Sequence, residues 1–116
     1  MPYRVNPLIW VMEFSHQFIH HVYFWLKNPA STEDRDRLVA GLRTLIPIAG
    51  IKDAHIGVPA GTSRDVVDGS YAVSWLAVFD DRASQDAYQV DPIHLKFVEE
   101  CSRLWTKVVV YDSVSA

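Results

Sequence analysis

Apolar and polar positions change their period several times along the chain, and each change marks an element. From Ile19 to Lys27, Val22, Phe24 and Leu26 alternate with His21, Tyr23 and Trp25, and the β-branched and aromatic content predicts a strand, ended by Asn28-Pro29. Ser31-Thr32-Glu33-Asp34 then sets a hydroxyl three positions before a carboxylate, a pattern that satisfies free N–H groups at a helix start. Leu38, Leu42, Leu45 and Ile46, with Val39, recur at helical spacing along one stripe, which Pro47 and Gly50 close. Ile51 to Val58 reads as a second strand diluted by Lys52, Asp53 and His55, and Pro59 to Gly69 as a turn-rich connection. Tyr71 to Phe79 predicts a third strand, and Asp80-Asp81 caps a short helix through Tyr88. Asp91-Pro92 opens a final helix as N-cap and first-position proline. That helix carries His94, Val98, Cys101 and Trp105 near one face, ending there or a turn earlier, and Lys107 to Val114 supplies the last strand.

The order is strand–helix–strand–strand–helix–strand with the second helix broken, which is an α+β, ferredoxin-like (βαββαβ) protomer with an antiparallel sheet. In that pattern both helices pack on one face of the sheet. On the first strand His20, Val22, Phe24 and Leu26 oppose Ile19, His21, Tyr23 and Trp25; on the third, Tyr71, Val73, Trp75, Ala77 and Phe79 oppose Ala72, Ser74, Leu76 and Val78. Both faces are rich in apolar residues, where a solvated face would alternate with polar ones. A second copy related by a two-fold axis is the commonest way to cover such a surface, so a homodimer through the open sheet face is expected.

Composition narrows the picture. The 116 residues are enough for one domain with a real core, read as 18–116, after an N-terminal extension over 1–17 that docks on the domain or on a partner. A net charge of -3 without a basic stripe argues against nucleic acid. No stretch approaches the ~20 apolar residues of a membrane span, and Glu13 cuts the run Leu8–Met12 too short for a signal-peptide core. One cysteine, Cys101, excludes an internal disulfide, and a cytoplasmic location follows as the expectation.

Two phrases carry a family resemblance. His20-His21-Val22-Tyr23-Phe24-Trp25-Leu26-Lys27 resembles the opening strand of the stress-responsive A/B-barrel (Dabb) proteins, within the dimeric α/β-barrel superfamily. Tyr71 to Phe79, followed by Tyr88 through Val98 with its Pro92-Ile93-His94, is similar to that family's other hallmark. The resemblance spans about Phe18 to Ser113 and implies a ferredoxin-like protomer paired into a dimeric barrel. It also implies an unassigned specific function, with plant polyketide cyclases among the members, which close a poly-β-keto thioester by aldol chemistry without cofactor. On that likeness the cyclase Tyr and His fall on Tyr88 and His94, and the first-strand His on His20. The His commonly found before the Pro is Asp91 here, which suits an N-cap but alters the polarity of a pocket mouth.

The residues themselves admit two readings. His94 sits four before Val98 and seven before Cys101, as a hydrogen-bonded core histidine or as a general base for a proton between two carbonyls. Tyr88 is a helix-end aromatic with its hydroxyl at the surface, or a donor to an enolate oxygen brought near His94 by the break at Asp91-Pro92. His20 faces the helices and needs a partner, which His94 or a water could supply. Val22, Phe24, Trp75, Phe97 and Val98 are the expected walls of a ligand pocket for a small apolar or aromatic molecule. No cofactor is called for. A metal site is disfavoured because His20 and His21 point to opposite faces and no carboxylate has ligand spacing. Cys101 reads as a small core residue. The rival functions are a non-catalytic structural or stress-related dimer without ligand, and a monooxygenase-like member of the superfamily; space left open beside His94 separates the first of these from an enzyme.

Overall fold

The first strand sets the layering. In the computed structural model, which describes residues 17–116, β1 (Phe18–Leu26) alternates buried and half-buried positions without a slip, because Phe18, His20, Val22, Phe24 and Leu26 all face the helices. α1 (Thr32–Arg43) starts where the Ser31 hydroxyl accepts the N–H of Asp34 at 3.0 Å, with Glu33 and Asp34 in its positively polarised first turn. Leu38 and Leu42 are its fully buried positions. β2 (Ile51–Gly57) and β3 (Val73–Phe79) follow as an antiparallel pair. Asp81 caps α2 (Arg82–Val90) through the Ser84 N–H at 2.8 Å, and α3 (Pro92–Cys101) follows after one residue, Asp91. A single 3₁₀ turn, Ser102–Leu104, leads into β4 (Trp105–Val114).

The sheet has the order β2-β3-β1-β4, antiparallel throughout, as the ferredoxin-like pattern requires. The helices cover one face. Leu38, Leu42, Leu45, Val73, Trp75, Phe79 and Tyr88 are the largest fully buried side chains between the layers. Burying one such residue contributes about 1.5–3 kcal/mol, so this layer carries most of the stability. On the other face, Tyr23 packs edge-on against Tyr71 and Tyr111, and Lys107 sits 4.5 Å from the centre of the Trp25 ring. None of the described elements covers that face, and among the described residues no helix is long and apolar enough to cross a membrane.

Several expectations shift in detail. Ile46 is 46% exposed and outside the buried stripe. α1 stops at Arg43, and the N–H groups of Thr44, Leu45 and Ile46 each reach back three residues, to Gly41, Leu42 and Arg43. This tightening ends the 3.6-residue period, so Ile48 takes the buried place instead. Tyr71 lies before β3, not within it, and its ring joins Tyr23 and Trp25 on the open face, opposite to the side assigned by simple alternation. The last helix stops at Cys101, the earlier of the two possible ends, and Trp105 is the first residue of β4. The docking expected of residues 1–17 falls, Gln17 apart, outside the described residues.

α1 and α3 meet at Gly41, where a Cβ would lie 2.5 Å from Cys101 Sγ and 3.2 Å from Phe97 Cδ1. In an open helix Gly→Ala gains about 1 kcal/mol. Here the sign reverses: Gly41→Ala is expected to destabilise by about 1–3 kcal/mol through overpacking, read as a lower urea midpoint. Adding Cys101→Ala should recover part of the loss, and additive losses in the double variant would disprove the contact.

Candidate active site

β4 delivers the first element of the site. Its antiparallel register sets Val108 opposite Phe24, Val110 opposite Val22 and Asp112 opposite His20, so these residues extend the helix-facing side of the sheet. The His20 ring is buried, and its Nδ1 lies 2.6 Å from Asp112 Oδ1. A carboxylate oxygen accepts, so Nδ1 carries the hydrogen. The partner of His20 Nδ1 is therefore Asp112. Alternation within Val108-Val109-Val110-Tyr111-Asp112 shows that Asp112 shares a face with two valines, but its register against His20 needs the pairing itself.

The helix break delivers the rest. Asp91 adopts an extended conformation (φ -63°, ψ 136°), as a residue before proline prefers. Its own N–H donates to the Tyr88 carbonyl at 3.2 Å, closing α2, while its Oδ1 accepts the Ile93 N–H at 2.8 Å, opening α3. Tyr88 and His94 thus sit on separate helices, and their rings come to 4.6 Å, with His20 5.7 Å from Tyr88 on the sheet side. Tyr88 is only 1% exposed, so its hydroxyl is not at the surface; the turn into α3 folds over it.

Burial pushes the Tyr88 hydroxyl up to about 12, against a smaller opposing pull from the Trp75 indole N–H beside it. That N–H falls short of hydrogen-bond geometry. Trp75 Nε1 is the single buried side-chain nitrogen or oxygen among the described residues without a partner. His94 is half-buried, and its Nδ1 lies 3.2 Å from the Gln89 carbonyl. Since a carbonyl only accepts, Nδ1 holds the hydrogen and Nε2 is left with a free lone pair. Burial lowers the His94 pKa, aided by nearby His20 and opposed by the Gln89 carbonyl and Asp91, so the ring is neutral at pH 7.

These rings border a cavity of about 160 Å³ between the helices and the sheet. The pocket residues expected from sequence, Val22, Phe24, Trp75, Phe97 and Val98, all line it, together with His20, Tyr88 and His94. Phe24, Trp75 and Phe97 form walls and do not fill the space. Leu42, Leu45, Gln89, Trp105, Val108 and Val110 complete the lining and were not singled out beforehand. No Lys, Arg, Asp or Glu is among these residues. A larger hollow of about 370 Å³ lies on the open sheet face, around Tyr23, Trp25 and Tyr71. It holds none of the converging histidines, so the smaller cavity is the candidate active site. Cys101 is buried outside it, with burial raising its thiol pKa.

Residues 18–115 match the family model described as the stress responsive A/B barrel domain. Among solved structures, the chain is similar to a Dabb family protein with a ferredoxin-like fold from Mesorhizobium loti, at 22% identity over 86% of this chain and 97% of that one, with a TM-score of 0.71. It is similar to the hydroxynitrile lyase from Passiflora edulis at 23% identity, over 87% and 94% of the two chains, with a TM-score of 0.73. A dimeric ferredoxin-like protein of unknown function from Thermobifida fusca gives 18% identity, 86% and 92% coverage and a TM-score of 0.71. At these identities the likeness concerns the fold. No curated protein matches the sequence.

The lowered His94 pKa has a measurable consequence. The folded protein binds this proton less readily than the unfolded chain, so stability is level above about pH 7 and falls as pH drops through 6.5 toward the folded pKa. NMR titration should place the His94 midpoint below its ordinary 6.5, with the hydrogen on Nδ1. His94→Gln should shallow the acid slope, leaving the part due to His21, whose pKa burial also lowers. A His94 midpoint at or above 6.5 would contradict this.

Proposed function

This chain belongs to the stress responsive A/B barrel domain family, and we propose that it works as a homodimer that takes a small, largely apolar or aromatic carbonyl compound into the cavity beside His94 and moves protons on it without a cofactor. One observation carries this reading: His20, Tyr88 and His94 converge on a cavity that is otherwise walled by apolar side chains. Scattered packing histidines would have no reason to share one hollow.

Each group suits a distinct task. His94 Nε2, neutral and with a free lone pair, takes a proton from a carbon next to the ligand carbonyl. The C–H bond breaks, its electron pair forms the C=C bond of an enolate, and the negative charge settles on oxygen. Tyr88, whose pKa of about 12 keeps it protonated, donates a hydrogen bond to that oxygen. The enolate carbon then attacks a second carbonyl carbon in the same molecule, whose π bond breaks onto its oxygen and takes the proton back from His94, as in an aldol ring closure, or the enolate carbon itself recovers that proton. His20 is a positioning residue: tied to Asp112 at 2.6 Å, it fixes the wall beside the Tyr88 ring. A structure of similar fold is described as a hydroxynitrile lyase, so this fold is compatible with enzymatic work on a small molecule. The buried, reduced Cys101 is compatible with work in the cytoplasm.

The test is proton exchange. 2-Indanone, whose methylene protons adjoin both ring and carbonyl, should exchange them in deuterated buffer faster with the protein than without it. His94→Gln should lower the protein-dependent rate by about 10²–10⁴. A rate equal to buffer with the unaltered protein would sink the catalytic reading and leave a packing role for these rings.

The dimer rests on the open sheet face, where Ile19, Tyr23, Trp25, Leu76 and Val109 are half-buried with none of the described helices over them. A similar structure is described as dimeric. Leu76 lies between His21 and His55 near the middle of that face. Leu76→Glu is expected to leave the fold intact and give a monomer by light scattering; an unchanged dimer mass would place the interface elsewhere.

A further inference from the structure

Trp75 stands on β3 with 1% of its surface exposed, in the wall of the cavity. A buried N–H normally has an acceptor, because burying it unpaired forfeits its bond to water. Trp75 Nε1 has none among the described residues, although the Tyr88 hydroxyl is its neighbour. Indole N–H is a donor only, so whatever completes it must bring a lone pair. The Tyr88 hydroxyl can donate to the same atom.

We propose that Trp75 and Tyr88 form a paired donor site for the oxygen of a neutral carbonyl, which makes Trp75 a specificity-determining residue that selects ketones or aldehydes over carboxylates of the same shape. The inference rests on the ligand-binding reading above and specifies its chemical class. The choice of a neutral group follows from charge. Among the described residues no Lys or Arg lines the cavity, and the His20 ring already faces the Asp112 carboxylate. His94 presents a lone pair, which repels an anion. A carboxylate entering here would lose its water without gaining a cation. A carbonyl oxygen gains two donors at little desolvation cost, and these same donors meet the charge that grows on oxygen once His94 removes a neighbouring proton.

Three probes of one shape separate the outcomes: acetophenone, its oxygen-free counterpart α-methylstyrene, and benzoate. Binding is followed in ¹H–¹⁵N spectra of the four tryptophan indoles of the intact protein. Acetophenone is expected to move the Trp75 Nε1–H resonance downfield, α-methylstyrene to bind without that shift, and benzoate to bind at least about tenfold more weakly than acetophenone. Trp75→Phe should lower acetophenone affinity about tenfold and spare α-methylstyrene; if that variant fails to fold, the indole shift in the unaltered protein decides. Acetophenone and α-methylstyrene binding equally, with Trp75 unmoved, would overturn the role of Trp75 and leave the cavity reading standing. Tighter binding of benzoate would overturn the preference for a neutral group. Failure of all three to bind would remove the ligand-binding reading, and this inference with it.

Discussion

The candidate site depends on a single residue that cannot be helical. Asp91 precedes a proline, and the steric demand of the proline ring holds it extended. It therefore ends one helix with its backbone N–H and starts the next with its carboxylate. On an uninterrupted helix, Tyr88 and His94 would be separated by about 1.7 turns and would point away from each other. The break replaces that rotation with a corner, and the two rings close to 4.6 Å across it. The carbonyl that holds His94 belongs to Gln89, also at this corner. Backbone geometry thus sets the tautomer of the imidazole as well as its position.

The sheet side is governed by a different rule, the pairing of β1 with β4. His20 is tolerable in a buried face because Asp112 arrives opposite it at hydrogen-bond distance, with its carboxylate still partly reached by water. That arrangement avoids the cost of a fully buried ion pair while satisfying one ring nitrogen. Polar atoms around the cavity consequently fall into two kinds. Nδ1 of His20 and Nδ1 of His94 are tied to protein and fix their rings; Nε1 of Trp75 has no partner among the described residues, and Nε2 of His94 carries the lone pair of its ring. A donor and an acceptor left over in an apolar enclosure describe the polarity of what fits there.

Sequence alone carried the element order, because Ser31, Asp81 and Asp91 each mark a helix start by short-range hydrogen bonding that no distant contact overrides. The two faces of β1 were equally legible, since alternation is a local property of an extended chain. What escaped notice was set by distance along the chain. Asp112 is ninety-two residues from His20, and only strand register joins them. The depth of Tyr88 depends on how α3 folds back over α2, so a helix-end tyrosine was read as surface. Ile46 and Tyr71 failed for one common reason: each lies just past the end of an element, where extending its period no longer holds. Trp75 was recognisable as a wall but not as an unpaired donor, since satisfaction of a polar atom is a property of everything around it.

β4 divides its residues between two environments by parity. Val108 and Val110 line the ligand cavity and Asp112 holds His20 on the same side, while Lys107, Val109 and Tyr111 turn to the opposite face. The two environments are separated by one thickness of peptide, on a strand at the sheet's edge with a neighbour on only one side. Such a strand has little stiffness of its own, so pressure on its outer residues is passed to the inner ones without any relay of side chains. The volume beside His94 is therefore not a private property of the protomer: whatever leans on the far side of β4 helps to set it.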